Sequence, residues 1–177
     1  MLMRRMAAMS AALVLCVAAG AAYAADPAKF YGKFKGEVTT TASAKPADVG
    51  SKRESTVDIK AAPEAGFLVY WSTEFLARPA GPDKVRATSL HFLPTSNPNV
   101  WRAARTGDPL YGQALIWAQV LDKSLTIYAT IVPKDGRPVM TIYRRTLNGE
   151  DLALEYERIE DGKRTTLVSG TLKKEKS

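Results

Sequence analysis

The stretch ALIWAQVLDKSLTIYATI, residues 114–131, decides the fold class, because it alternates side-chain character with a period of two on both sides of the pair Asp122-Lys123. Successive side chains of a strand point to opposite faces, so such alternation marks strands rather than helices. Read as a hairpin turning at Asp122-Lys123, the segment sets Ala118 opposite Ile127. Ala114, Ile116, Ala118, Leu125, Ile127, Ala129 and Ile131 then share one face.

The pattern continues through VMTIYRRTLNGEDLALEYER, residues 139–158. Lys134-Asp135-Gly136 and Glu160-Asp161-Gly162 have the composition of three-residue hairpin loops, and Asn148-Gly149 that of a two-residue turn with positive φ. These turns predict Ile127 opposite Tyr143, Tyr143 opposite Leu154, and Leu154 opposite Val168. Every hairpin then places the same set on the inner face, extended by Val139, Thr141, Tyr143, Leu152, Leu154, Tyr156, Thr166 and Val168. The other face carries Arg144, Glu155, Glu157, Thr165 and Ser169 and is expected to meet water.

Working toward the N-terminus, strands are expected over 30–39, 51–60, 67–75 and 85–93, with a short one around Trp101. Phe34 and Val38, Val57 and Ile59, and Phe67, Val69 and Trp71 are their inward residues. About nine or ten antiparallel strands in a meander form a sheet whose edges are a liability unless it closes. The predicted fold is therefore an all-β, up-and-down antiparallel barrel, with a β-sandwich as the alternative.

The first 24 residues stand apart. Arg4 and Arg5 precede an alanine-rich apolar run, and Ala22-Tyr23-Ala24 matches a small-x-small cleavage pattern, so residues 1–24 read as a secretory signal peptide. The run is shorter and less apolar than a membrane-spanning helix requires, and no transmembrane segment is expected after cleavage. Of the 177 residues at net charge +7, cleavage leaves 153 at +5, and it removes the one cysteine. The remaining segment, 25–177, is expected to be a single barrel domain, periplasmic or secreted, without disulfide or thiolate chemistry.

The opening run Phe30-Tyr31-Gly32-Lys33-Phe34-Lys35-Gly36 and the closing run Val168-Ser169-Gly170-Thr171-Leu172 frame the meander, and in this outline the chain resembles the calycin barrels, the lipocalins and fatty-acid-binding proteins. Gly32-Lys33-Phe34 is similar to the lipocalin Gly-x-Trp start, with Phe in place of Trp. The resemblance implies a barrel that holds a small apolar or amphipathic ligand. The connection 41–50 is too short for the two-helix lid of the fatty-acid-binding family.

Catalytic constellations are sparse. His91 is the only histidine, no Gly-x-Ser-x-Gly elbow accompanies it, and no phosphate-cradling loop or dinucleotide fingerprint is present. One histidine without cysteine makes the usual zinc sites improbable, and secretion argues against a nucleic-acid partner. No metal, cofactor or catalytic residue is therefore expected.

Two clusters carry the functional expectations. On the inner face, Thr141, Tyr143 and Tyr156 lie near Arg158, and with Phe34 and Trp71 they form the candidate ligand site. Polar groups among aliphatic ones need partners when buried, and a ligand head group is one such partner. The small Ala114, Ala118, Ala129 and Gly170 are expected to leave internal room. On the outer face, Leu115, Trp117, Tyr128, Met140 and Ile142 adjoin in the predicted register, an apolar patch suited to a homodimer contact or an envelope protein.

Overall fold

A computed structural model describes residues 25–76 and 84–176. The segment read as a signal peptide lies outside the described residues. Ten antiparallel strands follow one another: β1 (Gly32–Ser43), β2 (Lys52–Ala61), β3 (Phe67–Phe75), β4 (Val85–Pro94), β5 (Val100–Ala103), β6 (Leu115–Leu121), β7 (Ser124–Ile131), β8 (Val139–Asn148), β9 (Asp151–Glu160) and β10 (Lys163–Lys174). Each pairs with its chain neighbours, and β1 also pairs with β10, so the sheet closes into a barrel. Closure satisfies both edges of every strand and settles the choice between barrel and sandwich.

The register follows the sequence expectation through the first two hairpins of the C-terminal half. Ala118 faces Ile127 and Ile127 faces Tyr143. The next two hairpins correct it. Asn148 pairs with Asp151, so the turn residues are Gly149 and Glu150, and Tyr143 faces Tyr156 instead of Leu154. Gly149, at φ +63°, takes the first turn position, where a positive φ is required. In the last hairpin Asp161 and Gly162 form a two-residue turn at φ +49° and +73°, the left-handed pair of a type I′ turn. A bulge between Arg164 and Thr166 then sets Val168 against Tyr156. Both corrections shift the pairing by two residues, which preserves the face on which every side chain lies.

The connections alternate between two ends of the barrel, and the ends differ. At one end the short 3₁₀ turn Pro27–Phe30, capped by Asp26 accepting from the Ala28 N–H at 2.8 Å, drives Phe30 into the barrel. Phe34, Ile59, Phe67, Phe92, Leu125, Leu152 and Leu172 are fully buried around it. Phe67 stacks on Phe92 with centroids 5.1 Å apart and meets Trp101 edge-on at 5.7 Å. This half is a filled hydrophobic core. The outer surface is laced with cross-strand ion pairs, including Lys35–Glu54, Lys52–Glu37 and Arg144–Glu155. Exposed pairs of this kind contribute little individually.

Gly36 and Gly170 belong to the seam between β1 and β10. A Cβ on Gly170 would sit 2.4 Å from the Glu37 carbonyl oxygen, and one on Gly36 would sit 2.5 Å from that of Thr171. Gly170 therefore permits close backbone approach and does not open internal space, contrary to the role expected from its size. Gly170→Ala is expected to destabilise the fold by about 1–3 kcal/mol, the usual cost of overpacking. At about 2–4 °C per kcal/mol for a chain of this size, a thermal melt resolves that loss.

Candidate functional site

Toward the opposite end the barrel is not filled. A cavity of about 350 Å³ lies there, lined among others by Val38, Trp71, Tyr143, Leu154, Tyr156 and Val168. At about 30 Å³ per heavy atom of liquid, it takes roughly a dozen heavy atoms. Its mouth is the end formed by the start of β2, β4, β8 and β10 and the close of β1, β3 and β9, where Ser43, Asp48 and Arg86 line it.

The wall is built by period-two alternation. On β8, Tyr143 and Arg145 point inward in succession. On β9, Leu154 and Tyr156 do the same. Trp71 on β3 lies 5.0 Å from Tyr143, and Tyr143 lies 5.1 Å from Tyr156, which makes a continuous aromatic wall across the barrel. Burial, with the neighbouring Tyr156 adding to it, pushes the Tyr143 hydroxyl up to about 12, against the opposing pull of Arg145 and Arg158. The Tyr143 phenol is therefore a neutral donor throughout the ordinary pH range.

The floor of the cavity is Arg145. Its side chain is 1% exposed, and it is the largest fully buried side chain among the described residues. Its guanidinium carbon lies 5.1 Å from the Trp71 ring centroid and 5.9 Å from that of Tyr143. Nε and Nη1 have no hydrogen-bond partner among the described residues. Burial lowers the guanidinium to about 10, so it remains a cation at neutral pH. Isolated buried charges are costly, and ring faces return only about 1–2 kcal/mol of that cost. Nearer the mouth are Arg53, whose Nη2 donates to Thr40 Oγ1 at 2.9 Å, and Arg86, 5.4 Å from the Phe75 ring. Three guanidinium groups thus line the cavity against the single carboxylate of Asp48.

The residues expected from sequence separate into two groups. Trp71, Tyr143 and Tyr156 meet at the cavity, together with Thr166. Thr141 pairs with Arg158 one step closer to the mouth, outside the lining set, and the Arg158 Nε donates to Glu160 at 2.6 Å. Phe34 belongs to the filled end and is 1% exposed. Of the small residues, Ala118 is buried in the closed half, and neither Ala114 nor Ala129 lines the cavity. Arg145, Arg53 and Arg86 were not singled out, although alternation alone puts them inside: Arg145 follows Tyr143 by two, Arg53 precedes Val57 by four, and Arg86 precedes Phe92 by six.

The outer patch takes the expected register. Trp117 stacks on Tyr128 with centroids 5.0 Å apart and planes 13° from parallel. Tyr128 pairs with Ile142, Thr130 with Met140, and Leu115 is exposed beside them. His91 pairs with Leu68 on the face of β4 opposite the inward Phe92, so it does not reach the cavity. Among the described residues no group of three or more His, Cys, Asp or Glu is arranged to hold a metal, and no helix is long and apolar enough to cross a membrane.

No protein-family model matches the chain, and no curated protein does either. Among solved structures the chain is similar to secretory abundant heat soluble protein 4 from Ramazzottius varieornatus, with 18% identity and a TM-score of 0.42 over 83% of this chain and 95% of that one.

Proposed function

We propose that this chain is a calycin-like, non-enzymatic binding protein of the periplasm or the secreted fraction, and that its barrel holds one small amphipathic acid. The observation that carries this reading is Arg145: a cation at the floor of an aromatic-walled cavity, with two nitrogens, Nε and Nη1, that find no acceptor among the described residues. A carboxylate entering head first is held by charge-assisted hydrogen bonding to the guanidinium and repays its desolvation. Trp71, Tyr143, Tyr156 and Val168 then surround the apolar tail. A polar head anchored at one point in a mostly apolar pocket is the usual construction of a small-molecule site.

The test compares decanoate, whose twelve heavy atoms match the volume, with decanol and decylamine, following Trp71 fluorescence. Decanoate is expected to bind at least tenfold more tightly than decanol, since a hydrogen bond to a charged group is worth about 1.5–3 kcal/mol. Decylamine is expected not to bind. The response should vanish in Trp71→Phe. Equal affinity for acid and alcohol would remove Arg145 from the account.

A second reading rests on the stacked Trp117–Tyr128 pair on the outer surface. If that patch is the contact for a second copy or an envelope protein, Trp117→Glu abolishes association while the circular-dichroism spectrum stays that of a β-barrel. An unchanged sedimentation profile and undiminished recovery of a cross-linked partner would dismiss it.

A further inference from the structure

We infer that the mouth of the barrel docks on an anionic lipid surface. This goes beyond the binding reading above and rests on a different set of side chains. Val49, Leu76, Val85, Leu110 and Tyr111 are large apolar side chains that are each about half exposed or more, with Leu110 at 79% and Tyr111 at 82%. All five stand at the mouth end: Val49 between β1 and β2, Leu76 and Val85 where β3 gives way to β4, and Leu110 and Tyr111 on the 3₁₀ turn Pro109–Tyr111 between β5 and β6. The Val132 N–H donates to the Pro109 carbonyl at 3.0 Å, which fixes that turn beside the β7–β8 connection at the same rim. At the filled end, Leu121 is the one large apolar side chain so exposed among the described residues.

These side chains sit on separate connections distributed around the cavity opening. Separate apolar tips suit insertion into a soft planar interface better than packing against a shaped protein surface. Lys45, Arg105, Lys134 and Lys163 are exposed at the same rim and have no carboxylate partner among the described residues. Of the rim acids among the described residues, Asp135 is bound to Arg137, Glu160 to Arg158 and Glu74 to Lys84, which leaves Asp48, Asp161 and Asp108, whose carboxylate accepts the Leu110 N–H and keeps its charge. Apolar tips flanked by free ammonium and guanidinium groups are the chemistry of an anionic bilayer interface. Docked in this way, the mouth of the cavity faces the phase in which amphipathic acids reside.

Flotation with vesicles of phosphatidylglycerol and phosphatidylcholine, against phosphatidylcholine alone, tests the inference. It uses the chain with and without residues 1–24, since the ten strands of the described residues all lie between Gly32 and Lys174. The chain lacking that segment is expected to float with the anionic vesicles and to lose most of that binding in high salt. The double variant Leu110→Glu, Tyr111→Glu is expected to reduce partitioning at least tenfold. It should leave both the circular-dichroism spectrum and decanoate affinity unchanged. Absence of vesicle binding, or binding indifferent to the double variant, overturns the docking surface while leaving the decanoate result standing. Concentration-dependent dimerisation abolished by the same variant assigns the rim to a second copy and likewise overturns it.

Discussion

Arg145→Met raises the thermal midpoint of the ligand-free protein and at the same time lowers its affinity for a carboxylate at least a hundredfold. The two effects share one cause. Arg145 is fully buried, and its Nε and Nη1 find no acceptor among the described residues. Exchanging buried ionic groups for apolar residues of similar volume gains about 1–4 kcal/mol in other proteins. The lost contacts to Trp71 and Tyr143 return about 1–2 kcal/mol of that. A net gain of about 1–2 kcal/mol corresponds to a rise of roughly 2–8 °C. Decanoate affinity falls at least a hundredfold, because the charge-assisted hydrogen bonding and the attraction of the buried cation disappear together. The pH dependence follows from the direction of the shift. Burial holds the folded-state guanidinium near 10, below its ordinary value, so the penalty is present throughout the range below about pH 10 and is relieved only above it. The stability difference between variant and wild type is therefore flat from pH 6 to pH 9. A variant less stable than wild type would mean that Arg145 holds the barrel together instead of waiting for a ligand.

Phe67→Ala acts at the other end and with the opposite balance. Its ring is fully buried, stacked on Phe92 and edge-on to Trp101. Truncating a phenylalanine so placed costs about 3–5 kcal/mol, a fall of roughly 6–20 °C in the melt. Since Phe67 does not line the cavity, the preference for decanoate over decanol in whatever remains folded is unchanged. Phe34→Ala belongs with it. Although Phe34 was expected at the ligand, its place in the filled end makes it a stability residue.

The contrast between these two arginine and phenylalanine positions also shows what the sequence makes legible. Period-two alternation places side chains on faces, and the face assignment survives the two-residue slips at Gly149 and Asp161 because an even slip cannot change it. The aromatic wall of Trp71, Tyr143 and Tyr156 was therefore within reach. Alternation carries no information about depth along the barrel axis. Phe34 and Trp71 share the inner face, yet one plugs the closed half and the other lines the cavity. Arg145 was hidden for a related reason. A charged residue in a strand is ordinarily assigned to water, and Arg144 beside it does lie on the outer surface, paired with Glu155. Only the strict parity with Tyr143 and Leu147 distinguishes the two. Depth also escapes composition: the small Ala118 lies in the packed half, while the cavity arises where arginine, serine and threonine replace the large aliphatic residues found below.

The central claim, an acid bound head first on Arg145, is tested most directly by carbon NMR of decanoate labelled at its carboxyl carbon and bound to the wild-type protein. A carboxylate paired with a buried guanidinium has its pKa lowered by about 1–3 units. The bound signal is therefore predicted to hold one position from pH 8 to below the ordinary carboxylate range of about 4–5. A bound signal that titrates within that ordinary range would place the carboxylate in water at the mouth and contradict the account.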